Sequence, residues 1–278
     1  MLEILRPMNC LVSGVAVIIG VIISSGMFSS VFSLPVLFAF FSCFLICGAG
    51  NVINDYYDVE IDRINAPNRP IPSGRMTREF AGLYARFLFL AGIVFAYYTN
   101  SYLFWIAFFE SVILYIYGAI LKRYGFAGNI VVAFSVGITF IYGGLAVVDF
   151  SHISRVFILF FCAFFATLSR EIMKDIEDIE GDSALKSQTL PVILGLKKTS
   201  YLSALFLSVA VLLSFFPIKY GIVSVIPYTI IIIISDIVFI ISIYEMIYLD
   251  ITGNIAGIIQ KKIKIGMYLA MLAFLLGI

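Results

Sequence analysis

The sequence predicts an all-α polytopic membrane protein with nine transmembrane helices, and three observations support this fold class. First, 62% of the 278 residues are hydrophobic and only 13% are charged, which is typical of helices that face lipid as well as each other. Second, nine apolar runs are long enough to cross a bilayer, which needs about 20 residues per helix. Third, one polar pattern occurs twice in the same register. We therefore predict a single transmembrane domain over residues 1–278.

The predicted spans follow one another through short connections. They cover approximately residues 8–28, 34–57, 79–98, 101–121, 128–148, 154–176, 199–217, 222–248 and 258–278. The first run is too long for a signal peptide and lacks a small-residue cleavage site, so we interpret it as a retained helix. The last run begins with Gln260, Lys261 and Lys262, and we expect its first turns to lie at the membrane interface.

Basic residues are unevenly distributed between the connections, and this predicts the orientation of the chain. The even-numbered connections carry most of them: Arg63, Arg69, Arg75, Arg78, Lys122, Arg123, Lys186, Lys197, Lys198, Lys261, Lys262 and Lys264. The odd-numbered connections carry only Arg155 and Lys219. Because loops rich in lysine and arginine stay in the cytoplasm, we expect the N-terminus and the even-numbered loops to be cytoplasmic. With nine spans, the C-terminus then lies outside the cell membrane.

Two polar motifs end the second and the sixth spans. The first contains Asn51, Asp55, Asp58 and Asp62, and the second contains Glu171, Asp175, Asp178 and Asp182. Every position of the second motif lies 120 residues after its counterpart in the first, as 171 does after 51. We therefore predict an internal repeat of four helices, with pseudo-repeats at about residues 1–125 and 126–250 and an additional last helix at 258–278.

The spacing of the acidic residues predicts a metal site. At about 100° per residue, the four positions of each motif lie on one face of a helix. Two such faces meeting across a helix bundle would repel each other unless cations lay between them, and Mg²⁺ takes oxygen ligands and shares them with substrate phosphates. A metal held in this way neutralises a departing diphosphate. The six aspartates are therefore our candidate catalytic residues, and together with Asn51 they are our candidate Mg²⁺ ligands.

A simpler interpretation of these motifs is a charged helix end in contact with water. Glu177 and Glu180 lie off the acidic face and fit that interpretation. The aspartates fit it less well, because carboxylates at membrane depth are costly and are usually functional.

These motifs resemble those of the UbiA superfamily of membrane prenyltransferases. The first signature of that family matches Asn54, Asp55, Asp58 and Asp62, and the family's loop resembles residues 62–74. The second signature matches residues 174–182, followed by Thr189, Leu190, Pro191 and Gly195, and a further motif matches Tyr117, Leu121, Lys122, Gly128 and Asn129. The resemblance covers nearly the whole chain. It implies nine helices around a central cavity and two Mg²⁺ ions that bind a prenyl diphosphate.

Two stretches are most similar to the archaeal ether-lipid branch of the family. They are residues 3–9, which include Glu3, Arg6 and Asn9, and residues 171–182. The resemblance implies transfer of a geranylgeranyl group from geranylgeranyl diphosphate to geranylgeranylglyceryl phosphate, which forms the second ether bond of archaeal lipids. Quinone-pathway members share the aspartate motifs but transfer to an aromatic carbon, as in 4-hydroxybenzoate or naphthoate, so the motifs alone leave this alternative open.

Basic side chains beside the motifs are candidates for substrate binding. The candidates for the diphosphate are Arg63, Arg69, Lys122 and Lys174, because a departing diphosphate is stabilised by fixed positive charge. The alternative for each is a role in topology alone. Arg6 and Asn9 are candidates for the acceptor's phosphate, and the alternative for Arg6 is an anchor at the membrane interface.

Four further residues complete the predicted substrate-binding set. Asn54 is expected to bind or orient ligands through its neutral oxygen. Glu171 is either a metal ligand or a base at the acceptor site. Arg170 contacts either the acceptor or a structural partner, and Lys186 lies in a loop that would close over the substrate.

Some polar and small residues in or near the spans have no role in this scheme. Gly143 and Gly144 either permit close helix packing or make room for a prenyl tail. Asp236 lies in the middle of the eighth span without an assigned role, and we expect His152, the only histidine, to be inert.

The expected partners are a prenyl diphosphate, a lipid-like phosphate acceptor and membrane lipids. The net charge of +1 predicts no nucleic-acid partner, and nothing implies an obligate protein partner. An ion-coupled transporter also uses intramembrane carboxylates and internal repeats, but here the carboxylates cluster near one face rather than at the midplane. A CDP-alcohol phosphotransferase carries one aspartate motif with different spacing, whereas this chain carries two.

Overall fold

The computed structural model describes residues 2–147, 152–184 and 187–277, and all regular secondary structure within these ranges is helical. The α-helices are α1 Leu2–Leu5, α2 Pro7–Ser25, α3 Leu34–Tyr57, α4 Val59–Asn65, α5 Arg78–Thr99, α6 Ser101–Ala119, α7 Phe126–Gly144, α8 Ile153–Glu177, α9 Ile179–Ala184, α10 Leu190–Leu194, α11 Leu196–Leu213, α12 Phe216–Lys219, α13 Val225–Tyr248 and α14 Gly253–Gly277. Two short 3₁₀ turns, Phe28–Phe32 and Leu121–Arg123, follow α2 and α6.

Eight helical segments are long and apolar enough to cross a membrane. They are α2, α3, α5, α6, α7, α8, α11 with its continuation to Lys219, and α13. They coincide with the first eight predicted spans and confirm an all-helical membrane fold. The ends differ by a few residues where local backbone geometry stops a helix. For example, α2 ends at Ser25 because Gly26 adopts a left-handed conformation (φ 67°) and its N–H donates to the Ile22 carbonyl, a common way to terminate a helix.

The ninth predicted span corresponds to α14, which packs antiparallel to α13. At one end, Lys262 Nζ forms an ion pair with Glu245 Oε1 at 2.5 Å. At the other end, the N–H of Ser224 donates to the Gly277 carbonyl at 2.5 Å. The helix has 25 residues, but lysines in its first half separate it in composition from the eight apolar helices. A ninth membrane crossing therefore stays a prediction.

The chain divides into two compact units. The first comprises Met1–Lys122 and Thr139–Ile153, and the second comprises Arg123–Ile138 and Ser154–Ile278. The predicted repeat boundary near residue 125 is close to this division, except that residues 139–153 group with the first unit. The repeat itself stays a prediction.

The core of the first unit is built on α3, which packs against α2, α5 and α6. Small residues bring these backbones together. A Cβ atom on Gly143 would lie well under 3.0 Å from the carbonyl of Val17, and one on Gly20 would lie equally close to the carbonyl of Phe140. Gly143 therefore permits close packing of α7 against α2, which was one of the two interpretations of the Gly143-Gly144 pair.

The core of the second unit contains side chains from α8, α11, α13 and α14, among them Met173, Ile176, Leu207, Phe239 and Ile263. Asp236 joins a small polar cluster beside it. The carboxylate is 5% exposed and accepts a hydrogen bond from Ser214 Oγ at 2.8 Å, while Tyr228 Oη donates to the Ser214 carbonyl at 2.8 Å. This cluster ties α13 to the end of α11, and polar contacts of this kind commonly hold helices together in membranes.

Candidate active site

The first motif lies where α3 passes into α4. Asp58 separates the two helices with φ −87° and ψ 4°, yet its N–H still donates to the Asn54 carbonyl at 2.9 Å. The N–H of Asp62 likewise donates to the Asp58 carbonyl at 2.8 Å. The helix therefore bends at Asp58 without losing its hydrogen-bond ladder. The spacing had predicted one continuous acidic face, and the bend is a feature that the spacing did not reveal.

The three aspartates of the first motif are buried. Asp55 is 2% exposed, Asp58 is 6% exposed and Asp62 is 4% exposed. A buried carboxylate is costly unless it has a charged or hydrogen-bonding partner. The interpretation of this motif as a solvated helix end is therefore wrong.

Each of these carboxylates has a basic partner. Arg6 Nη2 lies 2.6 Å from Asp55 Oδ1. Arg69 Nη1 donates to both oxygens of Asp62 at 2.7 and 2.6 Å and lies 3.4 Å from Asp55 Oδ1.

Lys122 Nζ forms a short ion pair with Asp58. Three of the predicted substrate-binding residues, Arg6, Arg69 and Lys122, are thus brought to the first motif by the fold.

The guanidinium of Arg69 stays charged in this setting. Burial acts against its charged form, but the hydrogen bond to Asp62 and the carboxylates of Asp55, Asp62 and Asp58 outweigh that effect and raise the pKa of Arg69 above its ordinary value. The loop after the first motif therefore supplies a permanent positive charge beside three carboxylates.

Arg63 is not brought to the site. Its guanidinium pairs with Glu60 at 2.8 Å, and both side chains are largely exposed. An exposed ion pair three residues apart on one helix adds little to stability. The geometry favours the topological interpretation of Arg63 over a diphosphate contact.

Asn51 and Asn9 occupy the rim of the first motif. Asn51 Nδ2 donates to the carbonyl of Leu5 at 2.8 Å, so this side chain holds the segment before α2. Asn9 lies half-buried in the first turn of α2, and its backbone N–H donates to the carbonyl of Arg6 at 2.9 Å. These contacts are to backbone carbonyls and not to motif carboxylates, and the predicted ligand roles of both residues stay predictions.

The donor set of the first motif suits a hard cation such as Mg²⁺. It offers three carboxylates and the side-chain oxygen of Asn54, which is buried and accepts no hydrogen bond within the described part of the chain. In the arrangement seen, the carboxylates are turned to their basic partners, and no three Asp, Glu, His or Cys side chains in residues 2–147, 152–184 and 187–277 are grouped closely enough to hold an ion. Oxygen ligands of this kind are those that Mg²⁺ prefers, and a cation bound here would compete with the basic partners for them.

The second motif repeats the geometry of the first. Helix α8 ends at Glu177, Asp178 occupies a turn, and α9 begins at Ile179. The N–H of Asp178 donates to the Lys174 carbonyl and that of Asp182 to the Asp178 carbonyl, both at 3.0 Å. The regular helix is therefore interrupted at Asp58 and again at Asp178, 120 residues later.

Its side chains are less buried than those of the first motif. Asp175 is half-buried and accepts a hydrogen bond from Asn129 Nδ2 at 2.7 Å. Asp182 is half-buried and Asp178 is exposed. Whether the two acidic faces form one cage stays a prediction.

Glu171 is the buried acid at the start of the second motif. It pairs with Arg170 at 2.5 Å and lies 3.8 Å from Lys174 Nζ. The contact favours Arg170 as a structural partner of Glu171, while Lys174 keeps a partly exposed ammonium group beside Asp175. Lys186, the remaining candidate, lies outside the described residues.

Two residues at this site were not assigned a role from the sequence. The first is Asn129, whose signal was its place in the repeat, since it lies 120 residues after Asn9. The second is Glu177, which was taken for a solvated residue. It is half-buried and accepts a hydrogen bond from Gln260 Nε2 at 3.1 Å, and a Cβ on Gly257 would lie 2.5 Å from its Oε1. Glu177 therefore attaches the second motif to α14.

Comparisons with known proteins agree with the fold and with the motifs in the sequence. The chain is 41% identical over 277 residues to digeranylgeranylglyceryl phosphate synthase of Thermococcus sibiricus, covering 99% of this chain and 96% of that protein. A solved structure of digeranylgeranylglyceryl phosphate synthase is 37% identical, with a TM-score of 0.80 over 99% of this chain and 96% of the other. A UbiA homologue from Archaeoglobus fulgidus, solved with DMAPP and Mg²⁺, has a TM-score of 0.70 at 20% identity, covers 97% of this chain and 98% of its own, and shows the shared fold.

The aspartate motifs, the helical membrane fold and these likenesses lead to one family. The model of the UbiA prenyltransferase family matches residues 13–251, which is most of the chain. This protein belongs to the UbiA prenyltransferase family.

Proposed function

We propose that this protein is an intramembrane prenyltransferase that moves a geranylgeranyl group from geranylgeranyl diphosphate to geranylgeranylglyceryl phosphate. The observation that carries the proposal is the identity of 41% over 99% of the chain with a protein named digeranylgeranylglyceryl phosphate synthase. The buried, charge-paired carboxylates of the first motif supply the chemistry that such a reaction needs. Membership of a prenyltransferase family argues against the ion-coupled transporter.

The reaction exchanges one carbon–oxygen bond for another. The bond between C1 of the geranylgeranyl chain and the diphosphate breaks, and its electron pair leaves with the diphosphate. The free hydroxyl oxygen of the acceptor then bonds to C1 and releases its proton. Arg69 and Lys122, held at the first motif, offer fixed positive charge to the leaving group, which is the usual way in which enzymes stabilise developing negative charge.

Mg²⁺ is part of this proposal, with two ions as the expected number. Asp55, Asp58, Asp62 and the free oxygen of Asn54 would hold metal in the first motif, and Asp175, Asp178 and Asp182 would hold it in the second. Held by these oxygens, a divalent cation would supply positive charge to the leaving diphosphate. The apolar helices around the motifs would keep water from the reacting carbon.

In this proposed function, the reaction takes place at the cytoplasmic side of the cell membrane. Both motifs end helices that the positive-inside rule orients towards the cytoplasm. A prenyl diphosphate and a phosphate-bearing lipid acceptor would then meet there with their tails among the helices.

The test is a transfer assay with purified protein in detergent. Geranylgeranyl diphosphate and Mg²⁺ are supplied with either geranylgeranylglyceryl phosphate or 4-hydroxybenzoate, and the prenylated product is identified by mass spectrometry. We expect product with the glycerol phosphate acceptor alone. EDTA, Asp58→Asn and Asp178→Asn should each abolish it.

Glu60→Gln is the matched control. It removes a carboxylate two residues from Asp58, but this one is exposed and pairs with Arg63, so activity should persist. Product with the aromatic acid alone would replace the acceptor assignment and keep the metal-dependent mechanism. Folded protein that releases no diphosphate with either acceptor would contradict the proposed reaction.

A further inference from the structure

Arg6 has an unfavourable backbone conformation. Its φ of 53° is the only positive φ at a non-glycine residue in the part of the chain that the structure describes. The turn before α7 also contains a residue with positive φ, but there the residue is a glycine, Gly125, with φ 50°. Glycine tolerates this conformation freely, whereas residues with a Cβ atom do not. A glycine would fit this turn without strain, but it could not form the ion pair that the Arg6 side chain makes with Asp55.

The two motifs differ in what binds their first aspartate. Asp55 and Asp175 are counterparts, 120 residues apart. Asp175 is bound by the neutral amide of Asn129 at 2.7 Å. The counterpart of Asn129 is Asn9, yet Asp55 is bound by the guanidinium of Arg6 at 2.6 Å. A positive charge thus stands in the first motif where the second has an amide.

Of the basic partners in the first motif, Arg6 is the one best placed to leave. Arg69 makes two hydrogen bonds to Asp62, and Lys122 pairs closely with Asp58. Arg6 makes a single bond, to an Asp55 oxygen that Arg69 also approaches at 3.4 Å, so Asp55 keeps a basic neighbour when Arg6 leaves. The side chains of Arg6, Arg69 and Lys122 are about equally exposed, at 36%, 36% and 38%. Because a divalent cation at these carboxylates would repel nearby guanidinium groups, Arg6 would be the first to move.

The backbone at Arg6 is fixed by the segment before it. Glu3 pairs with Arg75 at 2.5 Å, and Ile4 and Leu5 are buried. The hydrogen bond from Arg75 lowers the pKa of Glu3, so this ion pair persists at neutral pH. The Arg6 side chain can therefore swing away while its Cα stays beside Asp55.

We propose that Arg6 is a displaceable counter-ion of the first motif. Its guanidinium neutralises Asp55 until a divalent cation binds, and Asn9 then takes the Asp55 carboxylate as Asn129 holds Asp175. The inference rests on the proposed function, in which this motif binds Mg²⁺.

The test measures Mn²⁺ binding without substrate, by electron paramagnetic resonance of purified protein. Arg6→Gln removes a charged competitor from Asp55, so Mn²⁺ should bind about tenfold more tightly, as expected for loss of a charge-assisted hydrogen bond. Arg6→Gly should do the same without strain in the turn. Asn9→Ala should weaken binding, because no amide then takes over Asp55.

Arg78→Gln is the matched control. It removes the same charge from the same unit, but Arg78 contacts the carbonyl and the ring of Tyr56 and, among the residues that the structure describes, forms no ion pair with a carboxylate. Its Mn²⁺ affinity should equal that of the wild type. Thermal unfolding of each variant establishes that it is folded.

The failures of the two proposals are distinguishable. If wild-type protein binds Mn²⁺ and Asp58→Asn abolishes binding, but Arg6→Gln and Arg6→Gly bind equally or more weakly, the counter-ion role of Arg6 is wrong and the proposed function stands. If wild-type protein binds no Mn²⁺, or binds it equally with Asp58→Asn, the metal site fails and this inference fails with it.

Discussion

At the scale of single residues, the chemistry depends on buried carboxylates that pair with partly exposed basic side chains. Asp58 is the clearest case, because its side chain is 8% exposed and its ionic partner is Lys122. Removing one member of a fully buried pair costs about 3–5 kcal/mol. The cost here is smaller, because 38% of the Lys122 side chain is exposed and water screens the pair. Substitutions of the basic partner should still be more harmful than those of an ordinary surface lysine.

We expect Lys122→Met to lower both thermal stability and turnover. Turnover should fall by at least about tenfold, because Asp58 loses its partner and the leaving diphosphate loses a fixed charge. Lys122→Arg keeps the charge and should retain more activity. The measurements are the melting temperature in detergent and product formation under saturating substrates.

Lys219→Met is the control for this prediction, since Lys219 lies in the connection before α13, contacts the rings of Phe216 and Tyr220 and, in the described part of the chain, forms no ion pair. Its stability and activity should be close to those of the wild type. A Lys122→Met protein with wild-type turnover would show that Lys122 serves membrane topology alone.

At the scale of helices, close backbone contact and a repeated helix interruption shape the site. Both motif helices are interrupted at an aspartate, Asp58 and Asp178, rather than at a glycine or proline. Gly143 and Gly20 bring α7 and α2 into direct contact within the first unit. Since α2 begins immediately after Arg6, the packing of α2 helps to place that side chain at the first motif.

We expect Gly143→Ala to destabilise the protein strongly. The added methyl group would meet the Val17 carbonyl at a distance that real Cβ atoms essentially never show, and backbone cannot move aside as a side chain can. The melting temperature in detergent should fall by several degrees or more, since overpacking commonly costs about 1–3 kcal/mol.

Gly50→Ala is the matched control, because its nearest neighbour is the flexible end of Leu114 at 3.2 Å. Alanine also favours a helix interior by about 1 kcal/mol relative to glycine. Its stability should be equal or higher. Equal melting temperatures for wild type and Gly143→Ala would show that α2 and α7 are less closely packed than described.

At the scale of the whole molecule, the number of membrane crossings decides where the C-terminus lies. Eight helices have the length and composition of spans, and α14 runs alongside α13 from Lys262 to Gly277. We expect α14 to cross the membrane as well. Its basic first half would stay near the cytoplasmic face, where Lys262 pairs with Glu245.

Cysteine labelling in intact cells tests this arrangement. The four native cysteines, Cys10, Cys43, Cys47 and Cys162, are first replaced, and one cysteine is introduced either at Asp250 or after the last residue. A membrane-impermeant maleimide should label the C-terminal cysteine and leave the one at position 250 unlabelled until the cells are opened. If both are protected in intact cells, α14 lies on the cytoplasmic face and the count of nine is wrong.

The sequence determined the membrane class, most helix positions and the register of the two motifs. Runs of apolar residues are sufficient to predict the membrane class and the helix positions. A chain in lipid must satisfy its backbone hydrogen bonds locally and therefore forms helices. The predicted 120-residue repeat makes Asn9 and Asn129 counterparts in register, although it gives neither a partner.

Only the tertiary structure decided which side chains meet. Arg6 reaches Asp55 across 49 residues of sequence and Lys122 reaches Asp58 across 64, whereas Arg63, next to the motif in sequence, pairs with Glu60 away from it. Such partners depend on how distant helices pack and on single backbone angles, as at Arg6 and Asp58. Composition and spacing carry little information about helix packing or about single backbone angles. They describe the period of each helix but not the angle at which it meets its neighbour.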